Sequence, residues 1–317
     1  MTLTYVDVPD DLVDEARRLN SLIESALATV PAVNTVPPAE TRRNRVEGRG
    51  PFGPIIRSER AVEVTVPSPD GGVPVRIIAP EAPSAVYLHI HGGGWTLGAA
   101  DQQDELLATL ADQAGIAAVS VEYRLAPEHP YPAGADDCEA AACWLVEHAQ
   151  ERFGTDHLLI GGESAGAHLS ALTLLRLRDR HGAAAAFRGA NLVFGAFDLS
   201  LTPSARRWGE RNLILSTPIV EWFAEQFLPT RTTEERRDPS VSPLYADLHD
   251  LPPALFTVGA LDPLLDDSLF MAARWQAAGN EADLLVYPES PHAFSAFPSG
   301  IARHCAAAQL EFLERVM

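Results

Sequence analysis

The chain has 317 residues, 46% of them hydrophobic and 21% charged, and its 24 basic and 43 acidic side chains give a formal charge of −19. This is the composition of a folded globular chain, long enough for one large α/β domain or for a domain with an added subdomain. Every basic residue is arginine; the missing lysine excludes Schiff-base, pyridoxal-phosphate and P-loop chemistry, and the acidic excess opposes binding to nucleic acid or anionic membrane.

The N-terminal residues carry no basic n-region and no apolar h-region, so no signal peptide is expected. No apolar run approaches the roughly 18 residues of a membrane span, and a cytoplasmic protein without stable membrane anchoring is expected. Residues 10–29 place Leu12, Ala16, Leu19, Leu22, Ile23, Ala26 and Leu27 at helical spacing. Residues 31–54, rich in Pro, Arg and Gly, read as a loosely packed connector. The period then changes. Residues 61–66 alternate, Ser68-Pro69-Asp70-Gly71-Gly72 is a turn, and residues 73–78 follow as a strand, together a hairpin.

Apolar runs at 85–90, 116–121, 158–160, 254–258 and 283–287 alternate with helical stretches at 104–114, 136–151, 165–180, 268–278 and 301–316. Continuous apolar strands between amphipathic helices predict a mostly parallel sheet covered on both faces. The alternation lapses over 199–247, where two tryptophan-bearing helical stretches sit among prolines and charges. The expected division is an N-terminal cap and connector (1–54), an α/β core in two parts (55–198 and 248–317) and a cap insertion (199–247). Cys138, Cys143 and Cys305 cannot all pair and lack metal-site spacing, so buried thiols are expected.

Gly162-Glu163-Ser164-Ala165-Gly166 follows a short apolar strand and opens a helix, the context of a nucleophile elbow. His91-Gly92-Gly93-Gly94-Trp95 follows another strand, where glycines let backbone N–H groups turn toward a ligand as an oxyanion hole requires. His89 and His91 have no third ligand at a familiar spacing, and no metal or cofactor is expected. Asp262 and His292 each come just past a predicted strand. Serine, aspartate and histidine in that chain order, each at the carboxyl end of a parallel strand, lie where such sheets place their ligands.

With Tyr123 to Ala133, Asp238-Pro239-Ser240 through Ser242-Pro243-Leu244, and Asp262-Pro263-Leu264, these motifs resemble the α/β-hydrolases of the bacterial hormone-sensitive-lipase-like (family IV) esterases over roughly residues 60–317. The resemblance implies an eight-stranded, mostly parallel sheet with helices on both faces and a helical cap. It implies Ser164 as nucleophile, His292 as general base and Asp262 as its acid partner, with Gly93, Gly94 and Ala165 lending N–H groups to the oxyanion. His91, Gly92 and Glu163 are supporting residues. Glu163 stands where the family usually has Asp or Thr, and Ala293 where it usually has Gly after the histidine. A carboxylate satisfied by backbone donors is the plainer reading of Glu163; anchoring the oxyanion loop or tuning the histidine is the functional one. Tyr123–Ala133, His129 and His168 read as packing residues.

The expected function is a serine carboxylesterase acting on small-molecule esters of short-to-medium acyl chain, with a homodimer as an option. An amidase, lactonase or arylformamidase would use the same residues, and a non-catalytic binding protein on this scaffold is the remaining alternative. The insertion brings Trp208, Leu213, Trp222 and Phe223; with Trp95 these are the candidate walls of an acyl pocket.

Overall fold

In the computed structural model, which describes residues 5–50 and 52–317, the strands are β1 (Val62–Val66), β2 (Val73–Ile78), β3 (Ala85–Ile90), β4 (Ile116–Val121), β5 (Leu158–Glu163), β6 (Phe187–Val193), β7 (Ala254–Leu261) and β8 (Ala282–Pro291). They form one sheet in the order β1-β2-β4-β3-β5-β6-β7-β8. Only β2 runs against its neighbours, and every pairing from β4 to β8 is parallel. Residues of β3 and β4 are buried throughout, which is why their sequences read as unbroken apolar runs.

The helices are α1 (Asp10–Leu27), α2 (Pro38–Val46), α3 (Asp104–Ala114), α4 (Ala133–Phe153), α5 (Ala165–Arg176), α6 (Pro203–Trp208), α7 (Thr217–Phe227), α8 (Leu265–Ala277) and α9 (Gly300–Val316). Strand alternation sorts the core into two layers. Val86, Leu88 and Ile90 of β3 face α4, α5 and α8, with Leu145, Leu169, Met271 and Trp275 among the packed residues. Ala85 and Tyr87 face α3 and α9, represented by Leu107, Leu110, Phe312 and Leu313. Cys138 and Cys305 are buried and Cys143 partly so, all as free thiols.

Two readings of the sequence need correction. Residues 31–54 contain a 3₁₀ turn at Val33–Thr35 and the helix α2, started by Pro38 in its first turn; an N-terminal proline costs no hydrogen bond there. The strand β6 breaks the apolar pattern with Arg188 and Gly189, and so escapes notice in the sequence. Gly189 lies directly under Val316 of α9, where a side chain would collide.

Strands β5, β7 and β8 run longer than their apolar runs suggest. Each continues to the residue before one of the three candidates, ending at Glu163, Leu261 and Pro291. No helix among the described residues is long and apolar enough to cross a membrane.

Candidate active site

At the end of β5 the chain turns sharply into α5. Ser164 holds φ 57° and ψ −117°, a conformation costly for a residue with a side chain, and one that lifts its hydroxyl clear of both elements. The turn is held by what packs beside it. A Cβ at Gly162 or Gly166 would run into the carbonyl oxygen of Ile90 at the end of β3, so glycine at both positions lets the elbow seat against that strand.

His292 follows β8 and reaches both partners. Its Nε2 lies 2.9 Å from Ser164 Oγ and its Nδ1 lies 2.8 Å from Asp262 Oδ2. The acid's other oxygen accepts the Leu264 N–H at 2.8 Å. A carboxylate can only accept, so Nδ1–H points at Asp262 and Nε2 is left as the acceptor facing the serine hydroxyl. Phe194 packs edge-on against the imidazole at 4.8 Å. Asp262 is 2% exposed and His292 4%, so their link is screened from water.

The two acids that follow have other tasks. Asp266 accepts the Ser204 N–H at 2.8 Å. Asp267 accepts the N–H groups of Phe197 and Asp198 and the Thr202 hydroxyl. Both tie the start of the 199–247 segment to α8.

The glycine loop lies against the elbow because Gly92 lacks a side chain. A Cβ there would stand 2.7 Å from the Glu163 carbonyl oxygen and 3.5 Å from Ser164 Cβ. Gly93 and Gly94 hold φ values of 122° and 58°. The ring of Phe223, on α7, covers Gly94 where a Cβ would project. Ala165 opens α5, where first-turn N–H groups have no intrahelical acceptor and carry the positive end of the helix dipole.

The supporting residues behave differently from one another. His91 stacks on Tyr123 with ring centroids 4.2 Å apart and lies 2.9 Å from the Gly92 carbonyl through Nδ1. Burial pushes its pKa down to about 3, so it serves as a neutral prop. Glu163 has a side-chain partner rather than the backbone donors expected: His89 Nε2 at 3.1 Å, with His89 Nδ1 in turn 2.9 Å from Ser120 Oγ.

The Tyr123–Ala133 segment buttresses the loop. The Tyr123 hydroxyl donates to the His91 carbonyl at 2.9 Å, and the Ala126 N–H donates to the Trp95 carbonyl at 2.9 Å. His168 is packing, as the sequence suggests. It accepts from Trp95 Nε1 at 3.0 Å and bonds the Val241 carbonyl at 2.8 Å.

The five candidate pocket walls divide. Trp95 is taken up behind the loop, stacked at 4.8 Å on Phe227. This corrects its reading as a wall. Trp222 packs beside Phe223 with centroids 4.9 Å apart. Trp208 and Leu213 join Ile23 of α1, Leu261 and Phe297 in a small apolar cluster on the histidine side of the site. Phe297 and Ile23 are not among the candidate walls: Ile23 reads in the sequence only as part of the helical stripe of residues 10–29, and Phe297 carries no sequence signal.

Residues 87–296 match the family model of the alpha/beta hydrolase fold. The carboxylic ester hydrolase LipN of Mycobacterium tuberculosis is 34% identical over 253 residues, covering 76% of this chain and 66% of that protein. The carboxylesterase NlhH of the same organism is 32% identical over 287 residues, 88% of each. Among solved structures, the hyperthermophilic esterase from the archaeon Pyrobaculum calidifontis is similar at a TM-score of 0.83 and 26% identity, covering 94% of this chain and 97% of that one.

Proposed function

The chain belongs to the α/β-hydrolase fold family and to its hormone-sensitive-lipase-like esterases, and from that membership we propose a serine carboxylesterase that works through an acyl-enzyme on short-to-medium acyl esters. The observation that carries this reading is the contact chain Ser164–His292–Asp262, at 2.9 and 2.8 Å, beside a glycine loop with positive φ angles.

In this mechanism Ser164 Oγ attacks the ester carbonyl while its proton passes to His292 Nε2. Asp262 holds the imidazole in the competent tautomer and stabilises the imidazolium that forms. Charge developing on the carbonyl oxygen is met by the N–H groups of Gly93, Gly94 and Ala165; one such donor is worth about 3 kcal/mol in the transition state. The imidazolium then protonates the leaving alcohol. Water, activated by the same histidine, attacks the acyl-enzyme and releases the carboxylic acid. Residues 1–54 and 199–247 would form the cap. The Glu24–Arg211 pair at 2.6 Å and the contact of Ile23 with Leu213 support their acting together.

The test is a panel of p-nitrophenyl esters against matched anilides, with a fluorophosphonate probe and mass spectrometry. Ester turnover far above anilide turnover, with label on Ser164 alone, is expected. Comparable turnover of anilides would move the assignment to an amidase, and label on another serine would discard the site.

A further inference from the structure

Helix α2 and Phe52 connect the glycine-loop side of the site with the histidine side. On the glycine-loop rim, Arg42 Nε donates to the Thr96 carbonyl at 2.8 Å and Nη2 to the Ala126 carbonyl at 2.7 Å, while the same guanidinium pairs with Glu128. On the histidine rim, the Phe52 ring packs 5.6 Å from that of Phe297, five residues past His292. Between these anchors lies Arg45, one turn on from Arg42 and therefore on the same helix face. Its guanidinium rests 5.4 Å from the centre of the Phe52 ring. It is near enough to His91 to help keep that imidazole uncharged.

Arg45 is partly buried, yet no carboxylate among the described residues pairs with it. Its desolvation, opposed only weakly by Tyr123, pushes its pKa down to about 10. It stays cationic at neutral pH all the same. In a chain of net charge −19, a partly desolvated guanidinium with no carboxylate partner among the described residues, held between the glycine loop and the residues after His292, suits an anionic group.

We propose that Arg45 is a subsite for a carboxylate carried by the substrate, so that the enzyme selects carboxylate-bearing esters over their neutral analogues. This rests on the esterase reading and names its substrate class. An anionic ester approaching a protein of this charge is repelled at long range, and a fixed guanidinium beside the site would supply the local attraction that admits it. The fork geometry of arginine suits a carboxylate, and the Phe52 face behind it limits the rotamers it must give up.

Two substrate pairs decide the matter: p-nitrophenyl hemiglutarate against p-nitrophenyl pentanoate, with the charge on the acyl side, and para-carboxyphenyl butyrate against phenyl butyrate, with the charge on the alcohol side. In each pair the readout is the ratio of kcat/KM for the charged ester to that for the neutral one. Arg45→Gln is expected to lower this ratio about tenfold in at least one pair, with Arg45→Lys recovering part of it; the pair that responds identifies the side on which the carboxylate lies. Ratios unchanged in both pairs overturn the proposal. A parallel loss on charged and neutral esters also overturns it, leaving Arg45 as a prop of the glycine loop. Absence of turnover of any ester by the unaltered enzyme is a separate result, which sinks the esterase reading itself.

Discussion

Glu163 Oε2 and His89 Nε2 stand 3.1 Å apart beneath the elbow, and His89 passes the connection to Ser120 at 2.9 Å. The three residues sit on β5, β3 and β4, which are neighbours in the sheet, so the contacts cross-link the strands that carry the nucleophile and the glycine loop. His89 is fully buried. Glu163→Ala therefore leaves a buried imidazole nitrogen without a partner, at a cost of about 1–3 kcal/mol. Glu163→Gln keeps an acceptor for the Nε2 proton and should retain most of the stability. Chemical denaturation of both variants checks this: equal midpoints for Ala and Gln would show that the contact contributes nothing.

The triad residues should differ sharply from the acids beside them. Ser164→Ala is expected to lower kcat by about 10⁶, and Asp262→Asn by about 10⁴ through the wrong histidine tautomer. Asp266→Asn, whose carboxylate caps the Ser204 N–H at 2.8 Å, should change kcat less than about tenfold and act on stability instead. The reverse order for Asp262 and Asp266 would mean the wrong acid has been chosen.

Ala293, directly after His292, sits at φ 58° and ψ 24°. A left-handed residue with a Cβ carries about 1 kcal/mol of strain that glycine avoids. Even so, the histidine keeps both its contacts at 2.8 and 2.9 Å, so the strain is absorbed in the loop. Ala293→Gly should raise the thermal midpoint by no more than about 1 °C and leave kcat/KM within about twofold, the gain being trimmed by the added freedom of the unfolded chain. A lowered midpoint would contradict it.

Two buried imidazoles set an acid limit to stability. Burial lowers the pKa of His91 to about 3 and that of His168 to about 4, against about 6.5 in an unfolded chain. Between those values the unfolded state binds protons that the folded state refuses. The stability is therefore present above about pH 6.5 and is lost as pH falls toward 4 and then 3, by up to about 1.4 kcal/mol per pH unit for each group. Unfolding at pH 5.5 should take up about two protons from this pair, measurable by calorimetry in buffers of different ionisation enthalpy. Uptake near zero would mean that the two rings are not held neutral.

The Ser164–His292–Asp262 contact chain was legible because each member stands where a strand ends, and a parallel sheet gathers strand ends at one edge. The elbow glycines were legible for a related reason: Gly162 and Gly166 answer to a local turn, and the Ile90 carbonyl they approach belongs to the strand predicted beside it. The partnership of Glu163 with His89 spans 74 residues and leaves no local trace. The helix α2 was hidden by its own composition, since Thr41, Arg42, Arg43, Asn44 and Arg45 offer no apolar stripe and what fixes the helix is Arg42 bonding two distant carbonyls. Trp95 and Phe223 show the remaining limit. Both are buried aromatics, and only their neighbours separate the one behind the glycine loop from the one covering it.

Phe223 also governs the last prediction, the acyl-chain range. Its ring covers Gly94, so a substrate held by that loop would meet it within a few carbons of the carbonyl. Trp222 packs beside it, and the cluster of Leu213, Ile23 and Phe297 closes the histidine side. Each methylene buried before the wall adds about 0.8 kcal/mol, and each one beyond it adds nothing or clashes. kcat/KM should thus rise from acetyl to butyryl or hexanoyl esters and fall steeply past about eight carbons, with no jump on emulsified substrate. Phe223→Ala should move the optimum to longer chains by about two carbons and weaken acetyl turnover, because the cavity it opens is filled only by a longer acyl group. The measurement is the p-nitrophenyl ester series from acetate to palmitate on both proteins, in solution and in emulsion. An optimum unmoved by the substitution would take Phe223 out of the pocket wall, and activity climbing through palmitate with a rise on emulsion would make the enzyme a lipase.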